Sequence, residues 1–294
     1  MEALTTGEAL ACPAASPTEL AALAPPLPCD LVLAGRYRLC ERLASGATSH
    51  VYRAEDLLSR ALSGREAPVA LKVYTGLRLA GRDLAPRLAL AELHTARRLQ
   101  HPHILRIHDL GWEPPVCFLS MEYIAGETLA RRLQRSPAGG LPAGLARGIA
   151  LALAAAVDAA HEVGIVHGDI KPANVLLGDC GEIKLIDFAG ARDRDAGRDE
   201  RACLSYSARY ASPALLAGAA PGPRDDYYAL ACLIYQLFAG ALPYGTRDAL
   251  QGLRVGMRPQ RPPGMGRRGW RVLQGVLAQR ADREGATAWV RRVL

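Results

Sequence analysis

Up to about residue 121 the apolar residues of this chain recur at short, alternating spacings, and beyond residue 126 they recur at helical ones. That order constrains the fold more than any other feature. Strands made in succession and then helices made in succession bury their apolar faces in two adjoining bodies, not in one layered sheet. From Gly35, the residues Tyr37, Leu39, Cys40 and Leu43 predict a strand; the small residues Ala44 to Ser49 predict a turn, and His50 to Ala54 a second strand. After a polar loop, Pro68 to Tyr74 reads as a third strand in which Lys72 is flanked by apolar side chains. A helix is expected from about Leu84 to Leu99, with Glu92 inside it, and short strands at 104–110 and 116–121. Beyond Gly126 the pattern predicts long helices at 143–163 and 227–238.

With 294 residues and 50% hydrophobic content the chain can bury a sizeable core. Residues 1–34, rich in Ala and Pro, are expected to form a flexible leader, without the basic start and long apolar stretch of a signal peptide. The longest apolar runs, Ile149 to Val157 and Ala229 to Ile234, stop short of a membrane span, so no membrane segment is expected. Seven cysteines without a CxxC pair indicate neither a disulfide framework nor a zinc site, and a cytoplasmic location fits. A net charge of +7 raises nucleic acid as a partner, but the charges are read as spread along the chain and aromatics are 5%, so none is expected. The composition leaves the oligomeric state open.

Almost every cation is arginine. There are three lysines, Lys72, Lys171 and Lys184, and one asparagine, Asn174. Two of the lysines and the asparagine fall in or beside segments with a definite chemistry, Val69-Ala70-Leu71-Lys72 and the run from Val166 through His167-Gly168-Asp169-Ile170-Lys171-Pro172-Ala173 to Asn174. Ten residues after Asn174 comes Lys184-Leu185-Ile186-Asp187-Phe188, a strand ending in a carboxylate. Together these segments resemble the catalytic domain of bacterial eukaryote-like serine/threonine protein kinases over residues 35–294. Further on, Ser207 to Ala214 follows that family's T-x-x-Y-x-A-P-E, and Asp226 opens a segment similar to its central helix.

The resemblance implies an α+β, two-lobed fold, with a β-rich N-lobe at 35–121, a hinge at 122–126 and a helical C-lobe at 127–294. It implies transfer of the γ-phosphate of ATP, with Mg²⁺ or Mn²⁺, to Ser or Thr hydroxyls of protein substrates. By the same mapping Lys72 contacts the α- and β-phosphates and is held by Glu92. Asp169 orients the substrate hydroxyl and accepts its proton, Lys171 neutralises the transferring phosphoryl group, and Asn174 and Asp187 hold the metal. Val51, Ala70 and Leu176 surround the adenine, Met121 is the gatekeeper, and the backbone of Glu122 and Ile124 meets the adenine edge. Ala44 and Gly46 belong to the phosphate loop, and Ser205 and Ser207 to the activation segment.

Four spellings depart from the family. Its G-x-G-x-x-G is Ala44 to Ser49 here, keeping the middle glycine; H-R-D is His167-Gly168-Asp169, D-F-G is Asp187-Phe188-Ala189, and A-P-E ends in Ala214. Gly168 removes the cation that usually receives a phosphorylated activation loop, so activation by that route is not expected. Ala214 removes the partner of an arginine matched by Arg283, so the segment around Ser212 is expected to be more loosely held than in its relatives. Two other readings stand beside the kinase. One is a pseudokinase that binds nucleotide or a partner; the other is a small-molecule phosphotransferase of the aminoglycoside kinase type, a family that also writes its loop His-Gly-Asp.

Overall fold

The computed structural model describes residues 26–46, 49–74, 85–136, 139–193, 206–279 and 285–294, and the backbone of 78–79 and 82–83. Ser205, Arg283 and residues 1–25 lie outside these. The first lobe is a six-stranded antiparallel sheet ordered β1-β2-β3-β4-β8-β7. Its strands are β1 (Val32–Leu33), β2 (Tyr37–Ser45), β3 (His50–Asp56), β4 (Pro68–Tyr74), β7 (Ile107–Glu113) and β8 (Val116–Glu122), with a separate two-residue pair, β5 (Arg78–Leu79) and β6 (Arg82–Asp83). Strand β4 lies between β3 and β8, covered on both faces. Leu71 and Val73 join Leu39, Tyr52 and Phe118 on one side, while Ala70 and Tyr74 join Leu119 and Met121 on the other. The two-residue period of a strand therefore puts Lys72 on the second side.

That side is covered by the helix α2 (Ala85–Arg97), whose buried residues Ala85, Ala89, Glu92 and Leu93 form one stripe. Methyl groups at 85 and 89 let the helix approach the sheet closely, which brings the Glu92 carboxylate down beside Lys72. Burying either charge alone costs several kcal/mol, so the stripe is stable only because the two meet.

Two parts of the sequence-based expectation are corrected. The fold begins before residue 35: β1 pairs with β2, Leu33 is buried, and Leu27 and Leu31 pack against the sheet. The apolar residues among the prolines, not the prolines, decide the behaviour of residues 27–33. The polar loop after β3 contains a helix, α1 (Leu57–Ser63), capped by the Asp56 carboxylate on the N–H groups of Leu58 and Ser59 and ended by Gly64 at φ 69°.

The second lobe is built on α4 (Ala143–Glu162) and α6 (Pro223–Ala239), which pack on each other. At 20 residues α4 matches the helix expected at 143–163, and by length and composition it would suffice to cross a membrane. Its Ile149, Leu153, Val157 and Ala160 are instead buried in the lobe's core. Helix α6 starts four residues earlier than expected, with Pro223 in its first turn and Gly240 at φ 73° ending it. Around this pair lie α3 (Leu129–Arg135), α5 (Pro213–Leu216), α7 (Ala249–Arg254), α8 (Arg267–Leu277) and α9 (Ala286–Val293). A small sheet, β12-β11-β9, faces the first lobe, formed by β9 (Gly126–Thr128), β11 (Val175–Gly178) and β12 (Ile183–Leu185); β10 (Ile165–Val166) pairs with β13 (Arg192–Asp193).

Candidate active site

Four charged or phenolic side chains meet where β4, α2 and the end of β12 converge. The Lys72 ammonium lies 2.9 and 2.8 Å from the two Glu92 oxygens and 2.7 Å from Asp187 Oδ1. Burial works against its charge, but the two carboxylates outweigh it and raise its pKa above the ordinary lysine value. Burial would likewise raise the Asp187 carboxyl, and Lys72 more than reverses this, holding it below the ordinary range. Asp187 has φ 68°, a left-handed backbone that a non-glycine residue adopts at a cost and that is typical of functional positions. Its side chain stays 44% exposed, whereas that of Glu92 is 3% exposed. Glu92 is thus the structural anchor, and Asp187 the carboxylate left open for chemistry.

Tyr74 was not anticipated. Fully buried two residues after Lys72 on the same face of β4, it donates its hydroxyl to Glu92 Oε2, and its ring centroid lies 5.6 Å from the Lys72 ammonium. Burial next to Glu92 keeps the phenol protonated far above the usual tyrosine range.

The segment after β10 carries the second half of the site. Asp226, 1% exposed at the start of α6, accepts the backbone N–H groups of His167 and Gly168 at 2.9 and 2.8 Å and lies 2.8 Å from His161 Nε2. Gly168 has φ 80°, and a Cβ there would meet nothing closer than 3.6 Å. Glycine thus serves the turn's conformation, not a close approach. His167 packs its ring on Phe188 at 4.6 Å and reaches the Ile186 carbonyl at 3.1 Å, joining this loop to the strand that delivers Asp187. The Lys171 ammonium bridges Asp169 Oδ2 at 2.5 Å and Ser207 Oγ at 2.9 Å, and the Ser207 N–H donates to Asp169 Oδ1 at 3.0 Å. Asn174 donates its amide to the Asp169 carbonyl at 2.9 Å, leaving its side-chain oxygen as an acceptor.

The remaining predicted residues lie on β2, β3, β4, β8 and β11 or on the connections that follow β2 and β8. Ala70 and Met121 are buried partners across β4 and β8; Val51 and Leu176 are half-buried. The Ile124 N–H has no hydrogen-bond partner among the described residues. Ala44 and Gly46 are exposed at the end of the β2–β3 hairpin, where the Gly46 N–H donates to the Ser49 carbonyl at 2.8 Å. The segment around Ser212 has a fastening that the sequence reading did not foresee. Ser212 is fully buried, caps α5 through the Leu215 N–H and donates to Asp225 Oδ1 at 2.5 Å, so a hydrogen bond to a carboxylate, in place of an ion pair, ties this segment to α6.

A strand-borne lysine paired with a helix-borne glutamate, an aspartate–lysine–asparagine loop and a second aspartate facing them from a neighbouring strand define a protein kinase domain. The chain belongs to that family: the model described as "Protein kinase domain" matches residues 37–260. It is 37% identical over 218 residues to CBL-interacting protein kinase 4 of Oryza sativa subsp. japonica, covering 72% of this chain and 46% of that protein. It is 31% identical over 220 residues to serine/threonine-protein kinase PrkC of Bacillus subtilis, covering 74% of this chain and 32% of that protein. Among solved structures, the Mycobacterium tuberculosis PknI kinase domain aligns with a TM-score of 0.65 at 29% identity, over 91% of this chain and 98% of that one. The chain spans about half or less of the length of the curated relatives it matches.

Proposed function

We propose that this chain transfers the γ-phosphate of ATP to Ser or Thr hydroxyls of protein substrates. The observation that carries the proposal is the position of Lys72, bonded at once to Glu92 and to Asp187, with Lys171 bridging Asp169 and Ser207. Both halves of a phosphoryl-transfer site are assembled, which neither a pseudokinase nor a bare nucleotide-binding module requires.

The substrate hydroxyl oxygen displaces ADP from the terminal phosphorus, and its proton passes to the Asp169 carboxylate. In this reading Lys171 neutralises the negative charge shared between attacking and leaving oxygens, and Lys72 holds the phosphates that leave. The Asp187 carboxylate and the Asn174 amide oxygen suit a hard divalent cation. Mg²⁺ takes one or two protein oxygens and completes its shell with phosphate and water, so these two side chains would suffice to hold it. Such an ion would neutralise charge developing on the phosphates.

Activity is proposed not to depend on activation-segment phosphorylation. Gly168 offers no cation to receive a phosphate. Ser207 already fastens one end of the segment to Asp169 and Lys171, and at the other end Asp193 pairs with Arg98, which also donates to the Val163 carbonyl.

The test is transfer of labelled γ-phosphate to myelin basic protein with Mg²⁺. Lys72→Met and Asp187→Asn are each expected to lower the rate about 10²- to 10³-fold, the scale of losing one charge-stabilising group, with circular dichroism reporting the fold; Lys72→Met is also expected to melt at a lower temperature, because it leaves the buried Glu92 without its cation. Nucleotide binding by the unmodified chain without any transfer would put a partner-binding role in its place.

A further inference from the structure

The positive charge of this chain is not spread along it. Residues 241–294 contain eleven arginines and three carboxylates, a net of +8, against +7 for all 294 residues. The other 240 residues are therefore close to neutral. Arg254, Arg258, Arg261, Arg267, Arg268 and Arg271 occupy α7, the connection after it and the start of α8, and all six are exposed. None of them is in an ion pair with a described carboxylate. Elsewhere on the surface arginines do find acids, as in Arg36 with Asp56 and Arg132 and Arg135 with Glu127.

The fold fixes which way these side chains point. Helix α7 buries Ala249 and Gly252. A Cβ on Gly252 would lie 2.4 Å from the Tyr244 ring, so the helix sits directly on that ring with Leu253 and Arg254 turned outward. The Arg261 guanidinium is held at 2.6 Å by the Met265 carbonyl, which positions it without neutralising it. Helix α7 in turn packs on α5, whose capping residue Ser212 lies five residues after Ser207, the partner of Lys171 and Asp169. The band of unpaired arginines thus begins one short helix away from the transfer site.

We propose that this band docks an acidic segment of the protein substrate, remote from the residue phosphorylated. The proposal rests on the kinase reading above. Charge complementarity selects the partner: a run of carboxylates offers the bidentate geometry that guanidinium groups match. A nucleic acid is less well suited, because the band presents no exposed aromatic ring for base stacking, Trp270 being packed against Tyr235 at 6.1 Å. Leu253 and Val255, 50% and 63% exposed beside Arg254, supply apolar contact between the charges. A single exposed ion pair contributes little, but several engaged by one tract act together and, being exposed, are screened by salt.

The variant carrying Arg254→Gln, Arg258→Gln, Arg267→Gln and Arg268→Gln tests this, with dephosphorylated casein as the acidic substrate and myelin basic protein as the basic one. The expected result is a KM for casein raised about tenfold, with kcat and the KM for myelin basic protein within about twofold of the unmodified chain. Rates on myelin basic protein also report that the variant is folded. In parallel, fluorescence anisotropy follows a labelled peptide of ten glutamates, a readout that needs no catalysis. Peptide binding that is lost in the variant, in a chain that phosphorylates neither protein, would leave the docking surface standing and remove the kinase reading. An unchanged casein KM together with unchanged peptide binding overturns the proposal. So does tighter binding, by the unmodified chain, of a 20-base-pair duplex or of phosphatidylserine vesicles than of the peptide.

Discussion

Glu92 has two partners where the sequence pointed to one, and the second has a consequence of its own. A carboxylate held by Lys72 alone is free to pivot about the ammonium, but the Tyr74 hydroxyl on Oε2 fixes the plane of the group and with it the rotation of α2. Hydrogen bonds to charged groups contribute about 1.5–3 kcal/mol, and part of that is expected to appear in catalysis because Lys72 must be presented to phosphate in one orientation. Tyr74→Phe, which keeps the ring and its packing, is expected to lower kcat/KM for ATP about tenfold while shifting the melting temperature by only a few degrees. Steady-state kinetics decide it, and a kcat/KM equal to the parent's would reduce Tyr74 to a packing residue. At this scale the sequence was most legible where a residue type was rare: the fold brings Lys72 to Glu92 and Asp187, and Lys171 and Asn174 to Asp169. Tyr74 was illegible because a tyrosine alternating with apolar residues on a strand gives the signal of an ordinary core position.

The elements were legible in proportion to how much apolar surface each one buries. The strands β2, β3, β4 and β8 and the helices α2, α4 and α6 all carry a buried face, and all were read from it. Helix α1 buries none of its residues completely, so periodicity had nothing to register, although an N-capping aspartate and a terminal glycine were both in view. Its stability must come from its cap. Asp56 accepts the Leu58 and Ser59 N–H groups at 3.1 Å, the Ser59 hydroxyl at 2.8 Å and Arg36 at 2.9 and 2.6 Å. The Arg36 hydrogen bonds, against the penalty of burial, hold its carboxyl far below the ordinary carboxylate value. Asp56→Ala is expected to destabilise the protein by about 1–3 kcal/mol at pH 7, and Asp56→Asn, which keeps one cap acceptor, by less. Because the folded-state pKa is depressed, the ionised group's contribution is complete above the ordinary carboxylate range and is lost as pH falls from there through the depressed value. Urea denaturation at pH 7 and pH 3 should therefore show the gap between parent and Asp56→Asn narrowing in acid; a constant gap would mean that the ion pair with Arg36 adds nothing.

At the scale of the whole molecule the two lobes were visible as a change of texture, but the way they are fastened was not. The backbone crosses between them at 122–126, and a second connection lies beside it. Lys184, on β12 of the helical lobe, places its ammonium 2.8 and 3.0 Å from the two oxygens of Glu122, the last residue of β8, and Glu122 also accepts the Arg106 N–H at 2.7 Å. The adjoining backbone repeats the join, with the Leu105 N–H donating to the Leu185 carbonyl and the Leu185 N–H to the His103 carbonyl. Since Asp187 follows Lys184 by three residues, this junction sets the height at which the carboxylate meets Lys72 of the opposite lobe. A pair separated by 62 residues, in a chain with so many other surface cations, leaves no mark in the sequence beyond the rarity of lysine itself. The Lys184 and Glu122 side chains keep 13% and 25% of their surface exposed, between an open surface pair and a buried one, so a coupling of about 1 kcal/mol is expected. A double-mutant cycle of Lys184→Met and Glu122→Gln measures it: the single variants should each raise the KM for ATP and lower stability, and the double variant should be less impaired than their sum. Strict additivity would show that the pair does not couple the lobes and that the backbone bonds at Leu105 and Leu185 hold the junction unaided.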